Sequence, residues 1–304
     1  MKLKAPATSA NLGSGFDVFG LALKEPYDVL EAEKIPQKDV KIKLVKGYPV
    51  PVNPRENTGG YVAQEMIKDF NLEGGIELRI WKNIKPGSGL GSSAATAAAT
   101  AYAINELYEL GLSKIELVRY AAMGELVSAG VAHVDNVASA IYGDFIIIAS
   151  RDPLKIYSIR APSGLGIVIA LPDVEKGSTR KAREVIPRNV SLRQLVHNVG
   201  MASVLAAGMA LENIDMIKEG MNDAVIEPAR SRAGIIPEYE GVRELGKRLG
   251  AGIAVSGAGP AVIGLIEKHR RANLAEALRE YYSSKGYGCK IYVTEPGPGV
   301  HEIR

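Results

Sequence analysis

Alternating apolar and polar residues predict strands in the first part of the chain. Apolar residues that recur with helical spacing predict helices from about residue 58 onward. Period-two alternation indicates strands over residues 2–5, 16–23, 27–35 and 77–81. Helices are predicted over residues 58–70, 92–110 and 113–130. The second of these is rich in Ala and Thr on nearly every side, which is typical of a helix buried in a core.

The second half of the chain mixes both patterns. A loop (AHVDN) and an apolar strand (DFIIIAS) lead into predicted strands over 165–171, 253–256, 261–266 and 289–294, with helices over 179–185, 191–211, 237–249 and up to about 284. The regular strand–helix alternation of a doubly wound sheet is missing. The sequence therefore predicts an α+β protein of two halves, residues 1–153 and 154–304.

Charge and composition narrow the class of protein. The chain has 304 residues, with 37 basic and 34 acidic side chains and a net charge of +3, too small and scattered for nucleic acid. A single cysteine, Cys289, cannot form an internal disulfide, and the opening residues lack a signal peptide. The longest charge-free run, 90–105, is short and polar for a membrane span. We therefore expect a cytoplasmic protein.

The segment PGSGLGSSAAT, residues 86–96, carries the strongest chemical signal. Its glycines let backbone N–H groups approach a ligand, and its serines open a helix whose first turn has unpaired donors. Both features favour phosphate, although a tight turn feeding a core helix is the plainer interpretation. The candidate nucleotide-binding residues are Pro86, Gly87, Ser88, Gly89, Leu90, Gly91, Ser92, Ser93, Ala94, Ala95 and Thr96.

Two other glycine-rich segments are APATSANLGSGFD, residues 5–17, and SGAGPA, residues 256–261. Each alone is equally typical of a turn between strands. In order and spacing, the three segments together resemble the GHMP family of small-molecule kinases, and the resemblance covers essentially the whole chain. It is strongest to the branch that phosphorylates L-homoserine, through residues 4–23, 124–145, 178–187 and 226–232.

The resemblance implies a two-domain fold with ATP between the domains: an N-terminal domain like ribosomal protein S5 domain 2 and a ferredoxin-like C-terminal domain. Ala258 and Ala261 depart from the family, which often has hydroxyl residues there, so the effect on any hydroxyl contact stays open. The implied metal is Mg²⁺, held by Ser93 and Glu125. Asn57 matches a residue near the adenine, and a plain helix N-cap is the equal alternative.

The substrate implied by the resemblance is a zwitterion with a side-chain hydroxyl. Asn136 stands at the accepting hydroxyl, and an amide can orient that group but cannot take its proton. Whether any residue acts as a general base stays open. Arginine forks suit a carboxylate, and acceptors suit an ammonium. The implied substrate-binding residues are Asn11, Asp17, His133, Asn136, Arg183, Arg230 and Gly257.

The expected activity is ATP-dependent phosphorylation of L-homoserine to O-phospho-L-homoserine, a step of threonine biosynthesis. The alternatives are a GHMP kinase for mevalonate, shikimate or a sugar, and a non-catalytic nucleotide or amino-acid sensor. Asn136 in place of an acid disfavours the first alternative, and the presence of Ser93 and Glu125 disfavours the second. We expect a homodimer, although no residue pattern in the sequence supports this assembly.

Overall fold

Two separate β-sheets organise the chain. The computed structural model describes residues 1–130, 133–174 and 179–303, so residues 131, 132 and 178 of the stretches quoted above lie outside it. The strands are β1 (Lys2–Ala10), β2 (Phe19–Ile35), β3 (Val40–Gly47), β4 (Gly75–Lys82), β5 (Phe145–Arg151), β6 (Leu154–Ile159), β7 (Leu165–Pro172), β8 (Gly252–Val255), β9 (Val262–Glu267), β10 (Cys289–Thr294) and β11 (His301–Glu302). The α-helices are α1 (Thr58–Asp69), α2 (Ser92–Leu107), α3 (Lys114–Ala129), α4 (Val134–Tyr142), α5 (Thr179–Glu184), α6 (Leu192–Ala210), α7 (Ile214–Gly220), α8 (Ile226–Arg232), α9 (Tyr239–Arg248) and α10 (Arg271–Ser284).

The first sheet has seven strands and packs against α1 to α4. Its order is β11-β1-β2-β4-β3, and β5 joins it beside β2 with β6 at its outer side. Helix α2 contacts α1, α3 and α4, and its alanines are fully buried. Small side chains let neighbouring helices approach closely, which explains why a helix apolar on every side suits this central position. The predicted buried helix is confirmed.

The second sheet has four strands in the order β10-β7-β9-β8. Strand β7 is buried along its whole length, and α10 packs on it and on β10. Leu274, Leu278 and Tyr282 of that helix join Val168 and Val262 of the sheet in one apolar cluster. The second core is therefore separate from the alanine-rich core of the first sheet.

Strand β6 begins where the sequence predicts the boundary between the halves. It is antiparallel to β5, and β11 returns from the C-terminal end to pair with β1. Both strands therefore belong to the first sheet, and the chain passes to the second sheet between β6 and β7. The division after residue 153 stays a prediction about the domains.

Two local predictions were wrong. Residues 6–10 continue β1 instead of opening a loop, and residues 134–136, predicted as part of the AHVDN loop, begin α4. Polar residues in β1 suggested a loop, but Thr8 and Ser9 are fully buried because they hydrogen-bond to other elements. Helix α4 starts without a side-chain cap, so the usual start signal is missing.

Candidate active site

A cavity of about 470 Å³ lies where the three glycine-rich segments meet. Both halves of the chain line it, since residues of α2 and α3 and residues of α5 and α8 belong to its lining. The residues predicted from sequence that line it are Asn11, Asp17, Asn57, Pro86, Gly87, Gly89, Gly91, Ser92, Ser93, Thr96, Glu125, His133, Asn136, Arg183, Arg230 and Gly257.

Four residues of the predicted nucleotide-binding segment do not line the cavity. They are Ser88, Leu90, Ala94 and Ala95, and all are buried. The Ser88 hydroxyl donates to the carbonyl of Lys85 at 2.7 Å, and the Leu90 carbonyl accepts from the N–H of Thr8 at 3.1 Å. These side chains face the protein, so their residues shape the loop from behind.

The backbone at Gly91 turns the loop into helix α2. Its φ of 62° lies in the left-handed region, and a Cβ there would come within 1.9 Å of the Thr8 hydroxyl oxygen. Only glycine satisfies both conditions. The helix that follows is 16 residues long and points its first turn at the cavity, where Ser92 and Ser93 form part of the wall. Its unpaired N–H groups and positive dipole end favour an anion.

The third glycine-rich segment is interlocked with the second. The Ser256 hydroxyl donates to the carbonyl of Gly89 at 2.8 Å, and the N–H of Ala261 donates to the carbonyl of Ser88 at 3.1 Å. A Cβ on Gly89 would lie 2.3 Å from the Ser256 carbonyl oxygen. Each loop therefore fixes the shape of the other, across the two halves of the chain.

A buried ion pair lies beneath the loop of residues 85–91. Lys82 is 1% exposed, and its ammonium contacts the Asp28 carboxylate, the Ser92 carbonyl and the Thr96 hydroxyl. Sequence reasoning missed both charged residues. The sequence did contain a signal that Lys82 is buried, because this residue falls on the same face of β4 as the buried residues Ile76, Leu78 and Ile80.

Two guanidinium groups of the cavity lining converge on the ring of Phe16. The guanidinium carbons of Arg183 and Arg230 lie 5.8 and 5.6 Å from the ring centroid. Arg230 is 3% exposed and donates to the carbonyls of Ala182 and Gly257, at 3.2 and 2.7 Å. Burial lowers the pKa of Arg230. Clustered cations in a recess attract an anionic ligand.

Asp17 is held by arginines. Its carboxylate contacts Arg183 at 3.0 Å and Arg151 at 3.6 Å, while its N–H donates to the Asn11 side chain at 3.0 Å. Asn11 in turn donates to the carbonyl of Gly257 at 2.8 Å. The predicted pair of ammonium acceptors thus lines the cavity but also ties the first glycine-rich segment to the third. Sequence reasoning missed Arg151.

Glu125 and His133 contact each other at the cavity. Glu125 is 2% exposed, and its Oε2 lies 3.3 Å from Nδ1 of His133. The Glu125 carboxylate and the Ser93 hydroxyl line the same cavity, and both are oxygen donors of the kind that Mg²⁺ prefers. Within the described ranges no group of three or more His, Cys, Asp and Glu could hold a metal.

Asn136 is oriented by residues on both sides. Its Oδ1 accepts from the Thr8 hydroxyl at 2.8 Å, and its Nδ2 donates to Oδ1 of Asp135 at 3.3 Å. The same Asp135 oxygen accepts from the Asn136 N–H at 2.9 Å, and burial raises the pKa of this carboxyl. Asn136 keeps a second amide hydrogen and a second lone pair for a ligand.

Asn57 caps helix α1 and also lines the cavity. Its Oδ1 accepts from the N–H groups of Gly59 and Gly60, at 2.9 and 3.2 Å, and its Nδ2 donates to the carbonyl of Pro51. The N-cap interpretation is confirmed, and the adenine contact stays a prediction.

Comparisons with known proteins show the family of the chain. The model of the GHMP kinases N terminal domain matches residues 57–144, and that of the GHMP kinases C terminal domain matches residues 201–284. The chain is 42% identical to homoserine kinase of Methanococcus vannielii and 43% identical to that of Methanococcus maripaludis, in each case over 99% of this chain and 97% of the relative. This chain belongs to the GHMP kinase family.

A solved structure of a relative extends the match to three dimensions. The crystal structure of homoserine kinase from Cytophaga hutchinsonii is 33% identical, has a TM-score of 0.93 and covers 100% of this chain and 97% of its own. The expected α+β, two-domain GHMP kinase fold is confirmed, as is the resemblance to the homoserine kinase branch. In the described part of this kinase, no helix is long and apolar enough to cross a membrane.

Behind Arg230 in this GHMP kinase lies Glu227, a buried carboxylate that sequence reasoning also missed. Glu227 is on α8, one turn before Arg230, and accepts from the N–H of Val255 at 2.7 Å and from the Tyr239 hydroxyl at 2.5 Å. Burial raises its pKa from 4.5 to about 7. A charged residue in a short polar helix gives no sequence signal for burial.

The raised pKa of Glu227 predicts a pH-dependent contribution to stability. Between about pH 4.5 and 7 the unfolded carboxyl loses its proton while the folded one keeps it, so unfolding becomes easier as pH rises. The full effect is roughly 3 kcal/mol. We expect the difference in unfolding free energy between the wild type and Glu227→Gln to shift by this amount over that range in urea melts. A constant difference would contradict the buried, protonated acid.

Proposed function

We propose that this kinase transfers the γ-phosphoryl group of ATP to the side-chain hydroxyl of L-homoserine, giving O-phospho-L-homoserine. The observation that carries the proposal is the pairing of two recognition surfaces in one cavity. A glycine loop and the start of α2 belong to the lining, and so do two guanidinium groups beside Phe16. The first surface suits a triphosphate and the second suits an amino-acid carboxylate.

Mg²⁺ fits the residues present. Glu125 is a buried carboxylate at the cavity and Ser93 adds a hydroxyl, while Mg²⁺ commonly takes one or two carboxylates and fills its remaining positions with phosphate and water. Ser93 and Glu125 would hold the ion. When bound, the ion neutralises phosphate charge and polarises the phosphoryl group.

The protein's own part in catalysis is mainly positioning. Asn136, fixed by Thr8 and Asp135, can hydrogen-bond the accepting hydroxyl and aim it. Orientation of two reactants can lower the activation free energy by roughly 7–11 kcal/mol, while a general base lowers it by about 3–5 kcal/mol. Positioning can therefore accelerate phosphoryl transfer whether or not a residue acts as a general base.

The acceptor wall supports homoserine over other alcohols. Arg230 and Arg183 suit a carboxylate, and the Asp17 carboxylate in the same lining is an acceptor for an ammonium. Mevalonate has a carboxylate but no ammonium, and galactose has neither. The product has the chemistry of an activated amino acid, which agrees with a step of threonine biosynthesis.

A substrate panel tests the proposal. The purified protein with Mg·ATP is incubated with L-homoserine, mevalonate, shikimate or galactose, and ADP release is followed by a coupled assay. We expect turnover with homoserine, and a phosphomonoester product in the ³¹P spectrum. L-2-Aminobutyrate, which lacks only the hydroxyl, is the matched control and should compete without releasing ADP. Turnover with another alcohol alone would support a different kinase, and binding without turnover would support a sensor.

A further inference from the structure

We propose that Lys82, with Asp28 as its counter-ion, is a positioning residue that holds the two ends of the loop of residues 85–91 together and keeps this loop in its phosphate-binding shape. The inference rests on the proposed use of this loop for the ATP phosphates. It assigns a role to a buried ion pair that neither the glycine-rich motif nor the substrate residues include.

The Lys82 ammonium has its donors committed to the protein. Nζ contacts the Asp28 carboxylate and donates to the Ser92 carbonyl at 2.5 Å and to the Thr96 hydroxyl at 2.8 Å. An ammonium has three donors and no acceptor. Lys82 lines the cavity, yet these three partners use its hydrogens, so its role is to hold the first turn of α2 rather than to donate to a phosphate.

Asp28 holds the segment that enters the loop. Its Oδ1 accepts from the N–H groups of Asn83 at 2.8 Å and Ile84 at 2.9 Å. The Ser92 hydroxyl then donates to the carbonyl of Ile84 at 2.9 Å. The residues just before the loop and those just after it are therefore joined through one ion pair and one direct hydrogen bond.

The position of this pair in the sheet argues that stability alone does not explain it. Asp28 lies across from Lys82, one residue beyond the paired Val29 and Trp81, on the face that buries Leu30 and Ile80. Apolar residues would satisfy that face, and a buried ion pair is often no more stabilising than an apolar replacement. A charged pair at this one point is explained by the carbonyl and N–H groups that it holds.

A double variant separates positioning from folding. Lys82→Met alone leaves the Asp28 charge buried without its partner, which destabilises the fold. In Lys82→Met/Asp28→Asn the charge is gone, and the asparagine oxygen can still accept from Asn83 and Ile84. We expect the double variant to melt closer to the wild type than the single variant does. We also expect its KM for ATP to rise on the order of 10²-fold, with the KM for homoserine within about twofold.

Lys43→Met/Glu77→Gln is the matched control, because it removes an ion pair from the same sheet at a distance from the loop, with Lys43 59% exposed. It should leave both KM values unchanged. Wild-type KM for ATP in the Lys82→Met/Asp28→Asn variant would overturn the proposal, and so would an equal rise in both KM values. If the wild type does not turn over homoserine, calorimetric binding of ADP still decides the role of the pair. Weaker binding of ADP by Lys82→Met/Asp28→Asn, with wild-type binding by Lys43→Met/Glu77→Gln, supports the proposal. Equal binding of ADP by the wild type and Lys82→Met/Asp28→Asn refutes it.

Discussion

Replacing Glu125 with glutamine is expected to lower kcat on the order of 10²- to 10³-fold and to raise the Mg²⁺ concentration needed for half-maximal rate. Glutamine keeps the size of the side chain and an oxygen toward His133, but it removes the negative charge that would hold the metal. Loss of several kcal/mol of charge stabilisation corresponds to a rate change of this size. A magnesium titration at saturating ATP and homoserine measures both effects.

Glu116→Gln is the control for that experiment. Glu116 lies on the same helix, α3, where it is exposed and forms a capping box with Ser113. Glutamine preserves the capping box, so this variant changes the charge of the helix without changing the cavity. If both Glu125→Gln and Glu116→Gln show the same dependence of rate on Mg²⁺ concentration as the wild type, Glu125 does not hold the metal and the proposed site for Mg²⁺ is wrong.

Arg230→Met is expected to raise the KM for homoserine about 10- to 100-fold, with a much smaller change in the KM for ATP. Hydrogen bonds to charged groups contribute about 1.5–3 kcal/mol, and Arg230 is buried beside the cavity without an ion-pair partner among the described residues. The KM of Arg230→Lys for homoserine should lie between those of the wild type and Arg230→Met, because lysine keeps the positive charge but lacks the two-pronged guanidinium group. Initial rates against each substrate measure the effect.

A truncated substrate identifies the group that Arg230 recognises. 3-Aminopropan-1-ol lacks the carboxylate of homoserine, so wild type and Arg230→Met should phosphorylate it with similar kcat/KM. Arg232→Met, at an exposed position two residues along α8, is the control and should behave as wild type. Equal rises in the KM for ATP and for homoserine would mean that Arg230 shapes the third glycine-rich segment or contacts phosphate instead.

Much of the candidate site was predictable because its signals are local. Gly91 and Gly89 are needed at their own backbone positions, and the serines beside them open the helix that faces the cavity. Asn57 and Ser113 mark helix starts through hydrogen bonds that reach only two or three residues along the chain. Such features depend only on neighbouring residues. The three segments could therefore be recognised in the sequence, and their resemblance in order and spacing to a known family indicated a kinase.

The residues that sequence reasoning missed act through contacts between distant segments. Lys82 and Asp28 are 54 positions apart, Glu227 and Val255 are 28 apart, and Arg151 reaches Asp17 across 134. Periodicity shows which face of a strand a residue occupies, but strand register and loop closure select its partner.

The sequence by itself indicated the two-part α+β architecture and the glycine-rich loops, because backbone conformation and apolar periodicity depend on adjacent residues, and its resemblance to known kinases indicated the family. The tertiary structure alone decided that β6 and β11 join the first sheet, that Asp17 is held by arginines and that an ion pair lies beneath the loop. Those outcomes depend on contacts between residues that are far apart in the chain, and burial favours the pairing of opposite charges at such contacts.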